Sequence, residues 1–131
     1  MTKINEIYKC NKCGNITSVA CNGVGGLYCC GEKMTLQNPI TISDIEAKHR
    51  PVVEKVNDTY YIIMIGRDNL HPMTKLHHIE FVEVYLANNT KIIKRFEDNE
   101  NAEFVLETKV AIKKVVAFCN LHGLSETILK D

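Results

Sequence analysis

The segment Pro51-Val-Val-Glu-Lys-Val-Asn-Asp-Thr-Tyr-Tyr-Ile-Ile-Met-Ile-Gly66 carries a clear strand pattern. β-Branched and aromatic residues fill its two halves, Pro51–Val56 and Tyr60–Gly66, and Asn57-Asp58 separates them. Such residues favour strands, and Asn and Asp tolerate the positive φ that tight hairpins need. The segment therefore predicts two antiparallel strands joined by a hairpin turn.

The same pattern continues toward the C-terminus, with a second hairpin turn at Asn88-Asn89. The further predicted strands are Ile79–Ala87, Lys91–Phe96, Glu103–Thr108 and Val110–Phe118. Six or seven short antiparallel strands predict a mainly β domain, an immunoglobulin-like antiparallel β-sandwich. Ahead of them, residues 43–49 are predicted to form a short helical turn with Ser43 as its cap.

The first 37 residues differ in composition from the rest. They hold five of the six cysteines and five of the seven glycines, with only short apolar runs. A segment this small cannot bury a stable core unless a metal ion crosslinks it. We therefore predict a small metal-stapled domain at 1–37, a linker at 38–44 and the β-sandwich at 45–131.

Charge and hydropathy argue against several classes of partner. Lys and Arg number 16, as do Asp and Glu, so the formal net charge is +0 and no broad field attracts nucleic acid or an anionic membrane. No stretch approaches the roughly 18 apolar residues of a membrane span, and the N-terminus lacks the apolar run of a signal peptide. We expect a cytoplasmic protein, in which six cysteines indicate metal ligation or redox chemistry before disulfides.

One candidate metal site lies in the N-terminal segment. Cys10-Asn-Lys-Cys13-Gly14 is a C-x-x-C knuckle, a turn that directs two thiolates at one metal while the glycine relieves crowding behind them. Cys29-Cys30-Gly31 supplies two more sulfurs, although adjacent side chains reach one ion only if the backbone between them bends. Four sulfurs admit zinc or iron, so the spacing alone leaves a structural zinc ribbon and an iron centre both open.

A second candidate site is scattered over the C-terminal domain. Cys119-Asn-Leu-His122-Gly123 is a C-x-x-H turn in which a thiolate and an imidazole can converge on one metal. Upstream lie His71-Pro-Met-Thr-Lys-Leu-His77 and Lys48-His49-Arg50-Pro51. A single histidine is more often a hydrogen-bonded surface or core residue than a ligand, so these segments indicate a site only in combination.

The combination resembles the desulfoferrodoxin family. C-x-x-C-G followed by C-C-G is similar to desulforedoxin and to the N-terminal domain of desulfoferrodoxin. The segments that are similar to the superoxide reductase domain, in the same order and approximate spacing, are Glu46-Ala-Lys-His49-Arg-Pro-Val, His71-Pro-Met…His77-His-Ile-Glu and Cys119-Asn-Leu-His122-Gly123. The resemblance covers essentially the whole chain and implies a desulforedoxin-like domain followed by a domain that reduces superoxide to hydrogen peroxide.

This resemblance implies two iron ions per chain and their ligands. The implied ligands of the first iron are Cys10, Cys13, Cys29 and Cys30, and those of the second are His49, His71, His77 and His122 with Cys119 as the axial ligand. Five donors leave one coordination position for a small oxidant, which suits iron better than tetrahedral zinc. Cys21 has no counterpart in the pattern and is interpreted as a loop thiol. His78 is predicted to point away from the site, because successive residues of a strand face opposite sides.

Two positions beside His49 bear on the reaction. Lys48 corresponds to the family lysine that attracts superoxide, and with Cys119 it is a candidate catalytic residue; its charge offers the local steering that a neutral molecule otherwise lacks. Many family members carry Glu immediately before this lysine, where it closes the sixth position of the oxidised iron, but this chain has Ala47. We hypothesise that this position is left open, water-bound or reached from Glu46 in a different geometry.

The resemblance also implies a rubredoxin-like electron donor and a homodimer; charge and hydropathy predict no nucleic-acid or membrane partner. Two alternative functions stay open. A non-catalytic electron-transfer or metal-binding protein, holding iron or zinc, would consume no superoxide, whereas a dismutase would consume it and release oxygen. Product stoichiometry with a reducing donor present distinguishes the three.

Overall fold

The structure, a computed structural model, describes residues 1–41, 43–66 and 68–130. The chain divides into two compact units, Met1–Asn38 and the part from Pro39 onward. Neighbouring strands of every sheet in the described residues pair antiparallel. Within these residues, no helix is long and apolar enough to cross a membrane.

The first unit is built from very short strands. Their bounds are β1 (Ile7–Lys9), β2 (Ile16–Ser18), β3 (Tyr28–Cys29), β4 (Glu32–Lys33) and β5 (Thr35–Leu36). β1 lies between β2 and β5, and β3 pairs with β4 in a separate hairpin. The sequence predicted none of these strands, because two or three residues are too few to show an alternating pattern. The buried cluster of this unit is also small and consists of Tyr8, Cys10, Val19 and Met34.

The second unit is a β-sandwich preceded by the helix α1 (Ser43–His49). Its strands are β6 (Pro51–Lys55), β7 (Tyr60–Ile65), β8 (Ile79–Leu86), β9 (Lys91–Lys94), β10 (Glu103–Glu107), β11 (Ile112–Cys119) and β12 (Gly123–Ile128). One sheet has the order β10-β7-β6 and the other the order β12-β11-β8-β9. The predicted immunoglobulin-like sandwich is confirmed. β9, the fourth strand of the sandwich, lies in the same sheet as β8, β11 and β12, whereas the fourth strand of a constant-type domain lies in the other sheet.

Aliphatic side chains from both sheets form the core of the sandwich. Ile63 and Ile65 of β7 are fully buried with Val82 and Val84 of β8 and Val115 of β11. Each such side chain contributes about 1.5–3 kcal/mol by its burial. The two sheets are therefore a rigid support for the segments at their ends.

The strand predictions agree with the structure to within two residues at each end, apart from β12, which was not placed. The sequence did not predict β12 because polar and apolar residues do not alternate along it. Leu124 and Ser125 are adjacent and both are buried. Cys119 is the last residue of β11, and the C-x-x-H motif is the turn from β11 to β12.

The two predicted hairpin turns are closed in different ways. Asn89 has the expected positive φ of 66°. Asn57 and Asp58 do not have positive φ; instead Asn57 Oδ1 accepts hydrogen bonds from the amides of Thr59 and Tyr60, both at 3.0 Å. Side-chain hydrogen bonds of Asn57 therefore stabilise the first turn, and the positive φ of Asn89 allows the second.

The segment predicted as a linker, residues 38–44, is partly attached to the second unit. Pro39 forms a parallel bridge with Leu124, and the amide of Ile40 donates to the Leu124 carbonyl at 2.8 Å. The predicted helical turn at 43–49 is confirmed as α1. Its predicted cap, the side chain of Ser43, lies outside the described part of the chain, as does Ile42.

Candidate metal centres

The four cysteines predicted as the first metal site come together in the first unit. The sulfur atoms of Cys10, Cys13, Cys29 and Cys30 all lie within 4.8 Å of one another. Cys29 Sγ lies 3.5 Å from Cys13 Sγ and 3.9 Å from Cys30 Sγ. Cys30 and Gly31 both have positive φ, 53° and 75°, and this supplies the backbone bend that the adjacent cysteine pair requires.

Three of these thiols have shifted pKa values. Backbone amides of Cys13 and Lys12 lower the pKa of Cys10 to about 6. The neighbouring sulfur groups, Cys13 first among them, raise the pKa of Cys30 to about 12 and also raise that of Cys29. Hydrogen bonds among the sulfur groups thus favour the thiol form of Cys29 and Cys30, whereas a bound metal cation favours the thiolate form. The donor set therefore fits a four-sulfur metal centre.

The second predicted site brings together donors from widely separated segments. His49 ends α1, His77 lies just before β8, and Cys119 is paired with Ile79 at the start of that strand. The donor atoms that lie within 4.8 Å of one another belong to His49, His77, Cys119 and His122. His122 Nδ1 lies 3.1 Å from His49 Nε2 and 3.7 Å from Cys119 Sγ. Three nitrogens and one sulfur therefore converge on a single point.

His71 lies next to this group. Its ring centroid is 4.5 Å from that of His77 and 4.7 Å from that of His49. Its Nε2 atom is buried without a hydrogen-bond partner, and so is Nε2 of His77. A buried ring nitrogen without a partner is costly unless it binds something. Two such nitrogens beside three further donors are the arrangement expected around a bound metal ion.

Hydrogen bonds to backbone carbonyls leave Nε2 of His49 and of His71 free to bind a metal. His49 Nδ1 donates to the carbonyl of Ile45 at 2.6 Å, and His71 Nδ1 donates to the carbonyl of Pro72 at 2.8 Å. Because a carbonyl only accepts, the proton of each ring lies on Nδ1 and the lone pair on Nε2. Burial also lowers the pKa of His71 to about 4 and lowers that of His49. Both rings are therefore neutral at neutral pH, the form that binds a metal.

Lys48 and Glu46 have different surroundings. Lys48 is exposed in the last turn of α1, and its charge adds to the effect of burial in lowering the pKa of His49. The carboxylate of Glu46 accepts a hydrogen bond from Arg50 Nε at 2.6 Å and another from a terminal guanidinium nitrogen of the same residue. Arg50 accordingly lowers the pKa of Glu46. Both oxygens of Glu46 are thus engaged by Arg50.

His78 and Cys21 lie outside the two clusters, as predicted. His78 Nδ1 is 2.8 Å from the carbonyl of Thr74, and Nε2 is 3.0 Å from Glu80 Oε1. His77 and His78 precede β8 rather than lying in it, so the strand alternation used in the prediction does not apply to them. Cys21 is an exposed free thiol.

Sequence reasoning missed Asn120. Its Nδ2 donates to the carbonyl of Leu76 at 3.0 Å and its Oδ1 accepts from the amide of His78 at 2.8 Å, so it contacts the residues on both sides of His77. Its position inside the C-x-x-H motif is the one signal that could have drawn attention to it.

Two family sequence models match this chain. The model described as Desulfoferrodoxin matches residues 41–128, and the model described as Desulfoferrodoxin, N-terminal domain, matches residues 2–37. The chain belongs to the desulfoferrodoxin family. Desulfoferrodoxin has two iron centres, and the four-cysteine cluster and the histidine and cysteine cluster are the groups that could hold them.

Relatives within the desulfoferrodoxin family match over most of their length. The desulfoferrodoxin of Syntrophotalea carbinolica is 39% identical over 119 residues, which cover 91% of this chain and 92% of the relative. That of Nitratidesulfovibrio vulgaris is 41% identical over 122 residues, covering 90% of this chain and 91% of the relative. The crystal structure of the superoxide reductase from Treponema pallidum has a similar fold, with a TM-score of 0.75 at 22% identity, covering 93% of this chain and 96% of that one.

Proposed function

We propose that this chain reduces superoxide to hydrogen peroxide at an iron ion in the histidine and cysteine cluster. The observation that carries the proposal is the convergence of four donor atoms within 4.8 Å, with the unpartnered Nε2 of His71 beside them. The proposed ligands are His49, His71, His77, Cys119 and His122. An iron ion held by these donors would supply one-electron redox chemistry. Membership of the desulfoferrodoxin family supports the same activity.

The residues around the cluster are suited to a small anion. The chain has a net charge of +0, so attraction must be local, and exposed Lys48 next to His49 provides it. Reducing one superoxide takes one electron and two protons. We propose that Lys48 draws in the anion and helps to position the water that donates protons. Cys119, buried at 1% exposure, presents its sulfur to the cluster and not to solvent.

We propose that neither position 46 nor position 47 would supply a carboxylate ligand to the oxidised second iron. Ala47 has no carboxylate to offer, and that of Glu46 is held by Arg50. Replacing Glu46 by Gln should therefore leave the visible spectrum of the oxidised second centre unchanged. A crystal structure of the oxidised protein with a Glu46 oxygen on the metal would contradict this.

The remaining parts of the proposal rest on the family resemblance. Residues 1–37 are assigned to a desulforedoxin-like domain that holds the first iron, and residues 45–131 to the superoxide reductase domain. A rubredoxin-like protein is the proposed electron donor, a homodimer the proposed assembly, and the cytoplasm the proposed compartment. A family property of the first centre is that superoxide reduction often proceeds without it.

Product stoichiometry tests the proposed activity. Iron-loaded protein is mixed with superoxide and an excess of reductant, and hydrogen peroxide and oxygen are both measured. A reductase yields one hydrogen peroxide per superoxide, releases no oxygen, and stops when the reductant is withheld. A dismutase would release oxygen with or without the reductant, and a non-catalytic metal protein would not accelerate superoxide loss. Either of these outcomes rejects the proposal.

A further inference from the structure

Gly66 lies where the segments that carry His49 and His71 meet. It follows β7, is buried, and has a φ of +95°. Its amide donates to the carbonyl of Arg50 at 3.2 Å, and the carbonyl of Ile65 accepts a hydrogen bond from the amide of His71 at 2.8 Å. The end of β7 is thus bonded to the residue after His49 on one side and to His71 itself on the other.

A side chain at position 66 would have no room. A Cβ atom there would lie 2.3 Å from the carbonyl oxygen of Asn69, 3.2 Å from the amide nitrogen of His71 and 3.2 Å from the carbonyl oxygen of Lys48. All three are backbone atoms, which cannot rotate away as a flexible side chain can. The positive φ adds a conformational cost for any L-residue with a Cβ atom. An alanine would therefore have to displace the backbone of residues 69–71, the end of α1, or both.

We propose that Gly66 is a positioning residue for the second metal centre, setting the separation of His49 and His71. The inference rests on the ligand set of the proposed function. Lys48 and His71 belong to the two segments that approach each other across Gly66, and the rings of His49 and His71 are 4.7 Å apart. Only a residue without a side chain lets the backbones come this close, so the glycine prepares the spacing of two donors before a metal binds.

Gly123 offers a matched control for this role. It also has a positive φ, +90°, and it also adjoins a proposed ligand, His122. A Cβ atom at position 123 would meet nothing within 4 Å. Gly123→Ala therefore has a similar conformational cost from positive φ but no clash between Cβ and neighbouring backbone. Comparing the two variants separates the effect of the clash from that of the positive φ.

The test is the rate at which the second centre loses iron to a chelator, followed by its visible absorption in iron-loaded wild type, Gly66→Ala and Gly123→Ala. We expect Gly66→Ala to lose this iron at least about tenfold faster than wild type, the scale typical of a disturbed outer sphere, and to keep its four-sulfur centre. Gly123→Ala should stay close to wild type. A wild-type rate in Gly66→Ala overturns the inference even if thermal stability falls, and so does an equal loss in both variants.

A second measurement applies if Gly66→Ala does not fold. Amide hydrogen exchange of the metal-free wild-type protein should show the amides of Gly66 and His71 protected to the same degree as those within β7. Rapid exchange at both would mean that the metal, and not the glycine, brings the segments together. Iron loss and amide exchange do not depend on superoxide turnover. Absence of superoxide reduction therefore rejects the proposed function alone, and an unaffected metal centre in Gly66→Ala rejects this inference alone.

Discussion

Asn120 and His78 exchange two hydrogen bonds beside the second centre. The amide of Asn120 donates to the carbonyl of His78 at 3.0 Å, and the amide of His78 donates to Asn120 Oδ1 at 2.8 Å. Because Asn120 follows Cys119 and His78 follows His77, this pair ties one ligand segment to the other. The turn from β11 to β12 is thereby held against the start of β8.

Replacing Asn120 by Ala should loosen the second centre. The change removes both side-chain bonds to the 76–78 segment, which we expect to lower the free energy of unfolding by about 1–3 kcal/mol and to speed the loss of iron to a chelator. Asn88→Ala is the control, since Asn88 Oδ1 accepts a bond from the amide of Thr90 in a turn far along β8 from His77. Equal rates of iron loss in the two variants would show that Asn120 has no role in holding the centre.

Cys119→Ser and His78→Ala should have opposite consequences. Cys119→Ser would remove a proposed ligand of the second iron, so superoxide reduction should be abolished while the four-sulfur centre keeps its colour. His78 contacts Thr74 and Glu80 instead of the cluster, so its removal should change the rate less than about threefold, an effect below 1 kcal/mol. Superoxide kinetics of the two proteins check this, and comparable damage in both would mean that His78 takes part in the site.

Cys13→Ser should remove the first centre and spare the reaction. A serine hydroxyl is a poor replacement for a thiolate ligand of iron, so the absorption of the four-sulfur centre should change or vanish. The first unit should lose stability, because its buried cluster is small and depends on the metal. Superoxide reduction is measured on the same sample. Lost activity in a protein whose second unit remains folded would place the first centre on the path of the electron.

The metal-free protein should lose stability as the pH falls toward acid. Burial holds the pKa of His71 at about 4, below the 6.5 of an exposed imidazole, and also lowers the pKa of His49. Between these two values the unfolded chain binds more protons than the folded one, so the free energy of unfolding falls as pH drops below 6.5 and is fully retained above it. Urea denaturation at several pH values measures the slope. His71→Asn should reduce it, and a slope unchanged by that substitution would contradict the assignment.

The strands of the sandwich were predictable because each carries a local signal. Residues 51–66 show β-branched and aromatic runs on either side of a turn, and such runs need no knowledge of the rest of the chain. β12 lacked that signal, because Ser125 is buried by tertiary packing. The position of the turn at Asn57 was predicted correctly, but the positive φ expected there was not found. Asparagine can form a turn either by a positive φ or by a side-chain hydrogen bond, and the sequence does not distinguish the two.

The donor side chains that the structure brings together in the two clusters could be named from the amino-acid sequence. Cysteine and histidine side chains at these spacings are metal donors by their chemistry, and the two desulfoferrodoxin patterns identified the family before any atom was placed. The folded chain, in contrast, sets the position of His71 beside the other donors and the pairing of Arg50 with Glu46. It also sets the contacts that Gly66 and Asn120 make with the ligand segments. The contacts of Gly66 and Asn120 are made to backbone carbonyls and amides, groups that do not depend on the identity of the partner residue. The sequence therefore does not show which segments they join.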